Sequence, residues 1–465
     1  MIFDHTTDPL RVWQYAERYL GVGTRGYSSF SGHLDISERH HPQLGADRFT
    51  VATFRVPYER GGFLGNAVES TIAKLYRGGD AFLLPVHPDT LAHPGLGGRD
   101  ALRERGPDLT VVPSANARTV FVERIGGEPV EPHFVKLHYP RRLSRFTRRL
   151  RRPIISVQLW VAEELLAIGL PVLPEVAAGV LGDDPEEAWG FLLREACLRS
   201  GPPAGPRGPL RSVGPEGPGG SVGPVAWGSP MDPVGLGGPG GADGLAGLAG
   251  LAGGPAFGAD PPPYTVPLFA LYGQDFRRPG DPVLMAQLIA RSGEDPAGWL
   301  ARRVVAPMVG LWVQAVSRTG CVPEPHGQNT LFAFAADARR TAILYRDCGI
   351  YIDPQVRRDR GLDRELPPVN VISRDIHQPR ERVFSLTYDS FMGHHALGRL
   401  AQVAAGTLGV DPAELRRAAR EAFAAYGGAA VPLPGSVYYY EDRLDPDGGW
   451  DLVDTGERPA WRAGR

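Results

Sequence analysis

Residues 201 to 262 set the first constraint on what this chain can fold into. About half of that stretch is glycine or proline, and a Gly-Leu-Ala triplet repeats within it as GLAGLAGLAG. No Gly-X-Y register supports a collagen helix. Such a composition buries too little apolar surface to offset the entropy of ordering, so a flexible insertion is expected. Every packed layer must then come from the two flanks. Neither flank closes as an independent unit, so the insertion is expected to be a long loop within a domain.

The flanks are those of a soluble globular protein. At 465 residues the chain suggests two or three structural units with a substantial core. Its 42% hydrophobic and 22% charged content is ordinary, and a formal net charge of -2 argues against global capture of nucleic acid or anionic membrane. Cys197, Cys321 and Cys348 have no metal-like spacing and are too few for a disulfide framework. No apolar run approaches the roughly 20 residues that span a bilayer. Met1 to Leu10 lacks the basic-then-apolar layout of a signal peptide. A cytoplasmic protein is expected.

Before the insertion, Pro9 to Leu20 has helical periodicity, Phe49 to Val56 alternates like a strand, and Asn66 to Tyr76 carries an apolar helical stripe. Residues 82–86, 109–112, 119–122, 134–137 and 188–193 read as short strands. Ile154 to Ile168 reads as an apolar strand running into a helix. After the insertion, Val283 to Ile289 and Gly298 to Val316 are helical. Val383 to Met392 reads as strand or buried loop, and His394 to Ala404 and Pro412 to Tyr426 as helices, with Asp411 a cap for the second. Strands first and helices later suggest α+β layers.

Two stretches carry chemistry. In the first, Thr330 to Ala335 and Thr341 to Tyr345 read as strands around a turn centred at Asp337-Ala338, which places Asn329 almost opposite Arg346. Glu324, His326, Asn329 and Asp347 then gather at one end of a small sheet. Glu, Asn and Asp offer the hard oxygen ligands that Mg²⁺ takes while bridging phosphates, and His326 adds an acid/base group. A polar hairpin end with a surface acidic pair is the plainer alternative. The second stretch, Lys136 to Arg152, holds eight Lys or Arg residues. Three readings compete: a nucleic-acid patch, which no recognition fold accompanies; a solvated helix face; and a nucleotide site in which Lys136 and Arg148, with Arg118 upstream, meet phosphate oxygens. No Walker A sequence is present, so side chains would carry the phosphates.

Together these motifs resemble the IucA/IucC family of siderophore synthetases that work without a non-ribosomal peptide synthetase. Glu324, His326, Gln328 and Asn329, followed by Arg346-Asp347-Cys348-Gly349, resemble its Glu-x-His-x-Gln-Asn and Arg-Asp-x-Gly motifs. Lys136-Leu137, Leu143-Ser144 and Arg148 resemble its Lys-Leu … Ile-Thr … Arg segment. Asn116-Ala-Arg118-Thr119 is similar to its Ser-x-Arg-Thr, and His87-Pro88 to its His-Pro after a short strand. Leu173-Pro-Glu175 and Leu192-Leu-Arg194 look like two further landmarks. The chain departs from the pattern at Asn116 for Ser, at Asp89-Thr90 for Trp-Gln, at Cys348 for an aromatic residue and at Ile350 for Gly. It has a shorter region before His87 and no lysine near its end.

The resemblance implies an α+β fold like a cupped hand, with a central antiparallel sheet and a helical C-terminal palm. Residues 1–80 would be thumb-like, 81–300 fingers-like and 301–465 palm-like. It implies an ATP- and Mg²⁺-dependent ligase, a homodimer in the family's manner, that adenylates citrate or a related carboxylate and condenses it with an amine or alcohol. By that resemblance His326, Arg148, Lys136 and His87 are the candidate catalytic residues. Asn116, Arg118, Thr119, Lys136, Ser144, Arg148, Gln328 and Arg346 would bind nucleotide, and Glu324, Asn329 and Asp347 the metal. Two rivals stay open. A kinase also uses a His-Gly loop, an Asn and a metal-binding Asp, although Gln328 stands where its catalytic Asp belongs. A non-catalytic homologue would keep the fold alone.

Overall fold

The computed structural model describes residues 7–21, 35–196 other than 69, 144 and 145, 211–212, 262–442 other than 363, and 451–463. Ser144 and all of the Gly/Pro-rich insertion except residues 211, 212 and 262 lie outside the described residues.

The sequence pattern of alternating and continuous apolar runs between residues 49 and 195 produces one large antiparallel sheet. Its strands include β1 (Phe49–Pro57), β2 (Gly61–Gly65), β3 (Ala81–Val86), β4 (Leu109–Pro113), β5 (Thr119–Ile125) and β6 (Glu128–Leu137). Strands Glu175–Leu181 and Trp189–Glu195 lie between β2 and β6, and a two-residue strand, Arg211–Ser212, makes the sheet nine-stranded. The sheet crosses residue 80, where a boundary between thumb-like and fingers-like regions was expected. β5 and β6 turn on Gly126 and Gly127, whose φ values of 59° and 90° suit a two-residue hairpin that residues with a side chain rarely adopt. A register shift between Val122 and Arg124, beyond this turn, sets Lys136 opposite Thr119, and Lys136 also faces Leu192 on its other side. β6 is exposed near its turn and buried at its far end, so Lys136 enters the core.

The helix Arg152–Ala167 packs on the strands 175–181 and 189–195. It is helical from Arg152, which corrects the expected strand at its start: Pro153 supplies the first-turn geometry, and burial on most of its faces removes the polar stripe that marks a helix in sequence.

The hairpin forms as expected. Strands Thr330–Phe334 and Tyr345–Thr341 pair from Thr330↔Tyr345 to Phe334↔Thr341, and Ala338 takes a left-handed φ of 56° in the turn. Tyr264–Pro267 adds a third strand. The hairpin's outer edge is tied to the segment leading into strand 175–181: Tyr345 N–H donates to the Pro171 carbonyl at 2.9 Å, and Leu173 N–H to the Tyr345 carbonyl at 2.7 Å. This link brings the end of the hairpin to the end of β6.

Helices dominate the C-terminal part, including Ala306–Thr319, Arg399–Leu408 and Pro412–Ala425, where Asp411 caps as expected by accepting from Ala413 N–H. Val383 to Met392 is helical rather than strand or loop, within Arg380–Ser385 and a π-helical continuation over Leu386–Gly398. Residues around its whole circumference are buried, so no amphipathic period appears in the sequence. No helix among the described residues is long and apolar enough to cross a membrane.

Candidate functional site

The site forms where β5, β6 and the 330–345 hairpin meet. Lys136 Nζ donates to Asp347 Oδ1 and to Gln158 Oε1, each at 2.6 Å. Lys136 is 2% exposed, whereas the Asp347 side chain retains 24%, so the carboxylate is the partner that faces outward. Asp347 holds a left-handed φ of 70°, uncommon for a residue with a side chain. Such strain in a non-glycine residue persists only where its surroundings fix it, and it concentrates at functional sites.

Arg118 follows the Ser114–Asn116 turn. The Asn116 Oδ1 accepts from Arg118 N–H at 3.2 Å, and Asn116 N–H donates to Ser114 Oγ at 3.1 Å. Asn116 therefore shapes the loop through its side-chain oxygen, where the sequence reading expects the side chain to meet a phosphate. The Arg118 guanidinium is buried and donates through Nη1 to the Arg148 carbonyl at 2.8 Å. Among the described residues it has no carboxylate within ion-pair reach, and its Nε has no hydrogen-bond partner. Behind it Arg194 Nε pairs with Glu175 Oε1 at 2.9 Å, and both are buried.

The charges reinforce one another. Burial pushes the Lys136 ammonium down to about 8 and the Arg118 guanidinium to about 9. Burial works to raise the Asp347 carboxyl, but Lys136, Arg194 and Arg118 outweigh it and hold the group well below the usual carboxylate range. Glu324 is pushed up to about 7, by burial first and then by the Asp347 charge. Three buried cations, Lys136, Arg118 and Arg194, thus gather around the carboxylates of Asp347 and Glu175, with Glu324 pushed toward its neutral form.

The turn Glu324 to Asn329 is wound around His326. His326 N–H donates to the Glu324 carbonyl, and the N–H groups of Asn329 and Thr330 donate to the His326 carbonyl. His326 Nδ1 accepts from Gln328 N–H at 3.2 Å, so the neutral ring carries its proton on Nε2. Arg346 N–H donates to the Asn329 carbonyl at 2.9 Å, the facing pair that the hairpin predicted.

Two expected site residues are placed differently. The Arg346 guanidinium is engaged by protein, with Nε on the Gln328 carbonyl at 2.7 Å and both Nη atoms on the Glu17 carboxylate. It is buried and acts as a strut beneath the motif. His87 caps the short helix Pro88–Leu91, where Nδ1 accepts from Asp89 N–H at 3.1 Å. It lies in a second cluster, with ring centroids 5.1 Å from His40 and 5.1 Å from Tyr139. His40, His87 and Asp89 have donor atoms close enough to hold a cation. The Asp89 oxygens are already taken: Ser37 Oγ and His40 Nδ1 reach Oδ1 at 2.8 and 2.9 Å, and Ser37 N–H and Tyr139 OH reach Oδ2 at 3.0 and 2.9 Å. The Asp89 oxygens are thus satisfied by protein donors, whereas His87 Nε2 is buried with no hydrogen-bond partner among the described residues.

Buried histidines give the first prediction. Burial pushes His87 and His138 down to about 3 and His133 to about 4. Each is neutral in the fold but titrates near 6.5 when unfolded. Their contribution to stability is therefore complete above about pH 6.5 and falls as acid binds the unfolded chain, by up to about 1.4 kcal/mol per pH unit and histidine. The melting temperature should be level from pH 7 to 8 and drop steeply below 6.5. A level profile down to pH 5 would refute this account.

Glu17, Gln158, Glu175 and Arg194 were not read as site residues. The last two sit in recognised landmarks, but nothing in the sequence shows that they pair behind Asp347. Glu17 has no motif at all.

A family model described as ferric iron reductase FhuF-like transporter matches residues 297–437. No curated protein matches the chain in sequence. Among solved structures, petrobactin biosynthesis protein AsbB from Bacillus anthracis str. Sterne is similar with a TM-score of 0.62 at 11% identity, over 99% of this chain and 76% of that one. The chain has the siderophore-synthetase fold. ATP-bound aerobactin synthetase IucA from a hypervirulent pathotype of Klebsiella pneumoniae gives a TM-score of 0.59 at 14% identity, covering 99% and 80% of the two chains. Aerobactin synthetase IucC from the same source gives 0.56 at 14%, covering 99% and 77%. The expected α+β architecture with a large antiparallel sheet is thus present, and the synthetase fold extends over nearly the whole chain.

Proposed function

We propose that the chain is an ATP-dependent ligase of siderophore biosynthesis, which adenylates a carboxylate, citrate or a related polycarboxylic acid, and passes it to an amine or alcohol with release of AMP. The observation that carries this reading is Arg118: a buried guanidinium beside the Lys136–Asp347 pair that, among the described residues, has no carboxylate within ion-pair reach. An uncompensated buried cation is costly unless an anion completes it. A triphosphate and a carboxylate are such anions, and the fold is shared with a synthetase whose structure is ATP-bound.

In this reading a carboxylate oxygen attacks the α-phosphorus, pyrophosphate leaves, and Lys136, Arg118 and Arg148 stabilise the charge gathering on the phosphate oxygens. The chemistry of the donor set supports a hard cation, since Asp347, Asn329 and Glu324 carry oxygen ligands and the outward Asp347 carboxylate already accepts from the Lys136 ammonium. Mg²⁺ would supply charge neutralisation of the phosphates there. In the second step the nucleophile attacks the acyl carbon, AMP leaves and the amine's proton passes to solvent, while His326, whose Nδ1 already accepts from Gln328 N–H, is the candidate acid that offers its Nε2–H to the departing phosphate. His87, neutral and engaged as a cap, is the weaker candidate. A cytoplasmic location and a homodimer belong to the same proposal, testable by fractionation and light scattering.

A screen of di- and tricarboxylates for ATP–pyrophosphate exchange tests the reading. One or more acids should support exchange and AMP release. ADP with a phosphorylated product would favour the kinase, and no calorimetric binding of Mg·ATP the non-catalytic homologue. The reductase name of the matching family model finds no support in the described cysteines. Cys321 and Cys348 are buried, and burial pushes the Cys321 thiol up to about 12, which disfavours thiolate ligation.

A further inference from the structure

We infer that Glu17, on the N-terminal helix α1 (Pro9–Tyr19), is a positioning residue that holds both halves of the nucleotide site in register; the inference rests on the adenylation reading. Glu17 is 1% exposed and its carboxylate is fully used. Oε1 accepts from Trp13 Nε1 at 3.1 Å and from Arg346 Nη1. Oε2 accepts from Arg346 Nη2 at 3.2 Å and from Ala115 N–H at 3.1 Å.

These contacts join three segments that lie far apart in the chain. Ala115 belongs to the turn that presents Arg118, the cationic half. Arg346 precedes Asp347, the acidic half, and its Nε fixes the Gln328 carbonyl at 2.7 Å in the turn around His326. One carboxylate thereby sets the spacing between the buried cation and the outward acid. It also neutralises the buried Arg346 guanidinium. The helix is itself anchored on another side: Arg18 donates from Nε to the Pro42 carbonyl at 2.8 Å and pairs with Asp47 at 2.7 Å. Trp13 packs edge-on against Phe121 and Phe134 of β5 and β6, with centroids 5.8 and 5.2 Å away. Glu17 therefore has little freedom to follow a displaced site. It acts through Arg346 and the Ala115 amide and does not touch the reacting atoms.

The test is the kinetic split of carboxylate-dependent pyrophosphate exchange in Glu17→Gln, with calorimetric titration of Mg·ATP. The glutamine keeps the size but turns an amide nitrogen toward a donor, as one acceptor and the charge are lost. The KM and Kd for Mg·ATP should rise about ten-fold or more, the scale set by losing a charge-assisted hydrogen bond. The KM for the carboxylate should stay within about two-fold, because the change lies on the nucleotide side. Arg346→Met should reproduce the effect, and the double variant should be no worse than either single one, since both break one relay. Glu17→Asp, which keeps the charge, should recover part of the loss and serves if the glutamine variant folds poorly. An unchanged Mg·ATP constant in a folded variant, equal changes for both substrates, or additive losses in the double variant would each overturn the inference alone. Absence of both exchange and Mg·ATP binding in the unaltered protein would overturn the adenylation reading and this inference with it.

Discussion

Alanine at Lys136 or at Asp347 should abolish carboxylate-dependent pyrophosphate exchange, and the two variants should differ sharply in stability. Lys136 is the buried member, with Asp347 and Gln158 as its partners at 2.6 Å. Asp347→Ala leaves an ammonium in the interior beside Arg118 and Arg194, and a broken buried pair typically costs about 3–5 kcal/mol. Lys136→Ala leaves Asp347 with two cations nearby and an outward face, so its cost should be smaller. Activity falls in both, because one removes a phosphate partner and the other the acid proposed for the metal. The double variant Lys136→Met/Asp347→Leu separates the effects: stability should return toward that of the unaltered protein while exchange stays absent. Thermal melts beside exchange assays read both. Recovery of exchange in the double variant would show that the pair serves only the fold.

Arg118→Met should lower exchange by about a hundred-fold or more, the scale for removing one donor from a preorganised oxyanion-type site. The same change should leave the melting temperature unaltered or raise it. The guanidinium is buried, has an unpartnered Nε, and among the described residues pairs with no carboxylate. Methionine of similar reach removes that desolvated charge and relieves its repulsion with Lys136 and Arg194. A folded state made less stable by its functional residue is the signature of a site built for a ligand it lacks. A large fall in melting temperature would mean instead that Arg118 supports the fold through its bond to the Arg148 carbonyl. Added Mg·ATP should stabilise the unaltered protein by mass action and leave Arg118→Met little changed.

Much of this architecture was legible because local rules sufficed. The 330–345 hairpin follows from two short apolar strands around a polar turn, and it fixed the facing of Asn329 and Arg346 at once. The Asp411 cap, the first helix and six strands of the large sheet followed from spacing in the same way, whereas Gly61–Gly65, Glu175–Leu181 and Arg211–Ser212 carry no such signal. Where sequence reasoning missed, burial on all sides was the cause. The helix from Arg152 and the segment around Val383 to Met392 show no polar stripe, because neither has a solvent face to require one.

The sequence by itself determined the composition of the site: which cations, acids and histidines are present, and the order in which they occur along the chain. It also determined that the pieces sit at strand ends and turns, since period and turn chemistry are local. Only the tertiary structure decided their partners. Lys136 meets Asp347 across 211 positions and Arg346 meets Glu17 across 329, and no short-range rule relates residues so far apart. The same distance explains why Arg346 looked like a ligand residue and proved to be a strut. An arginine's motif tells that a charge is needed, while the carboxylate that neutralises it is chosen by the packing of α1 against the sheet.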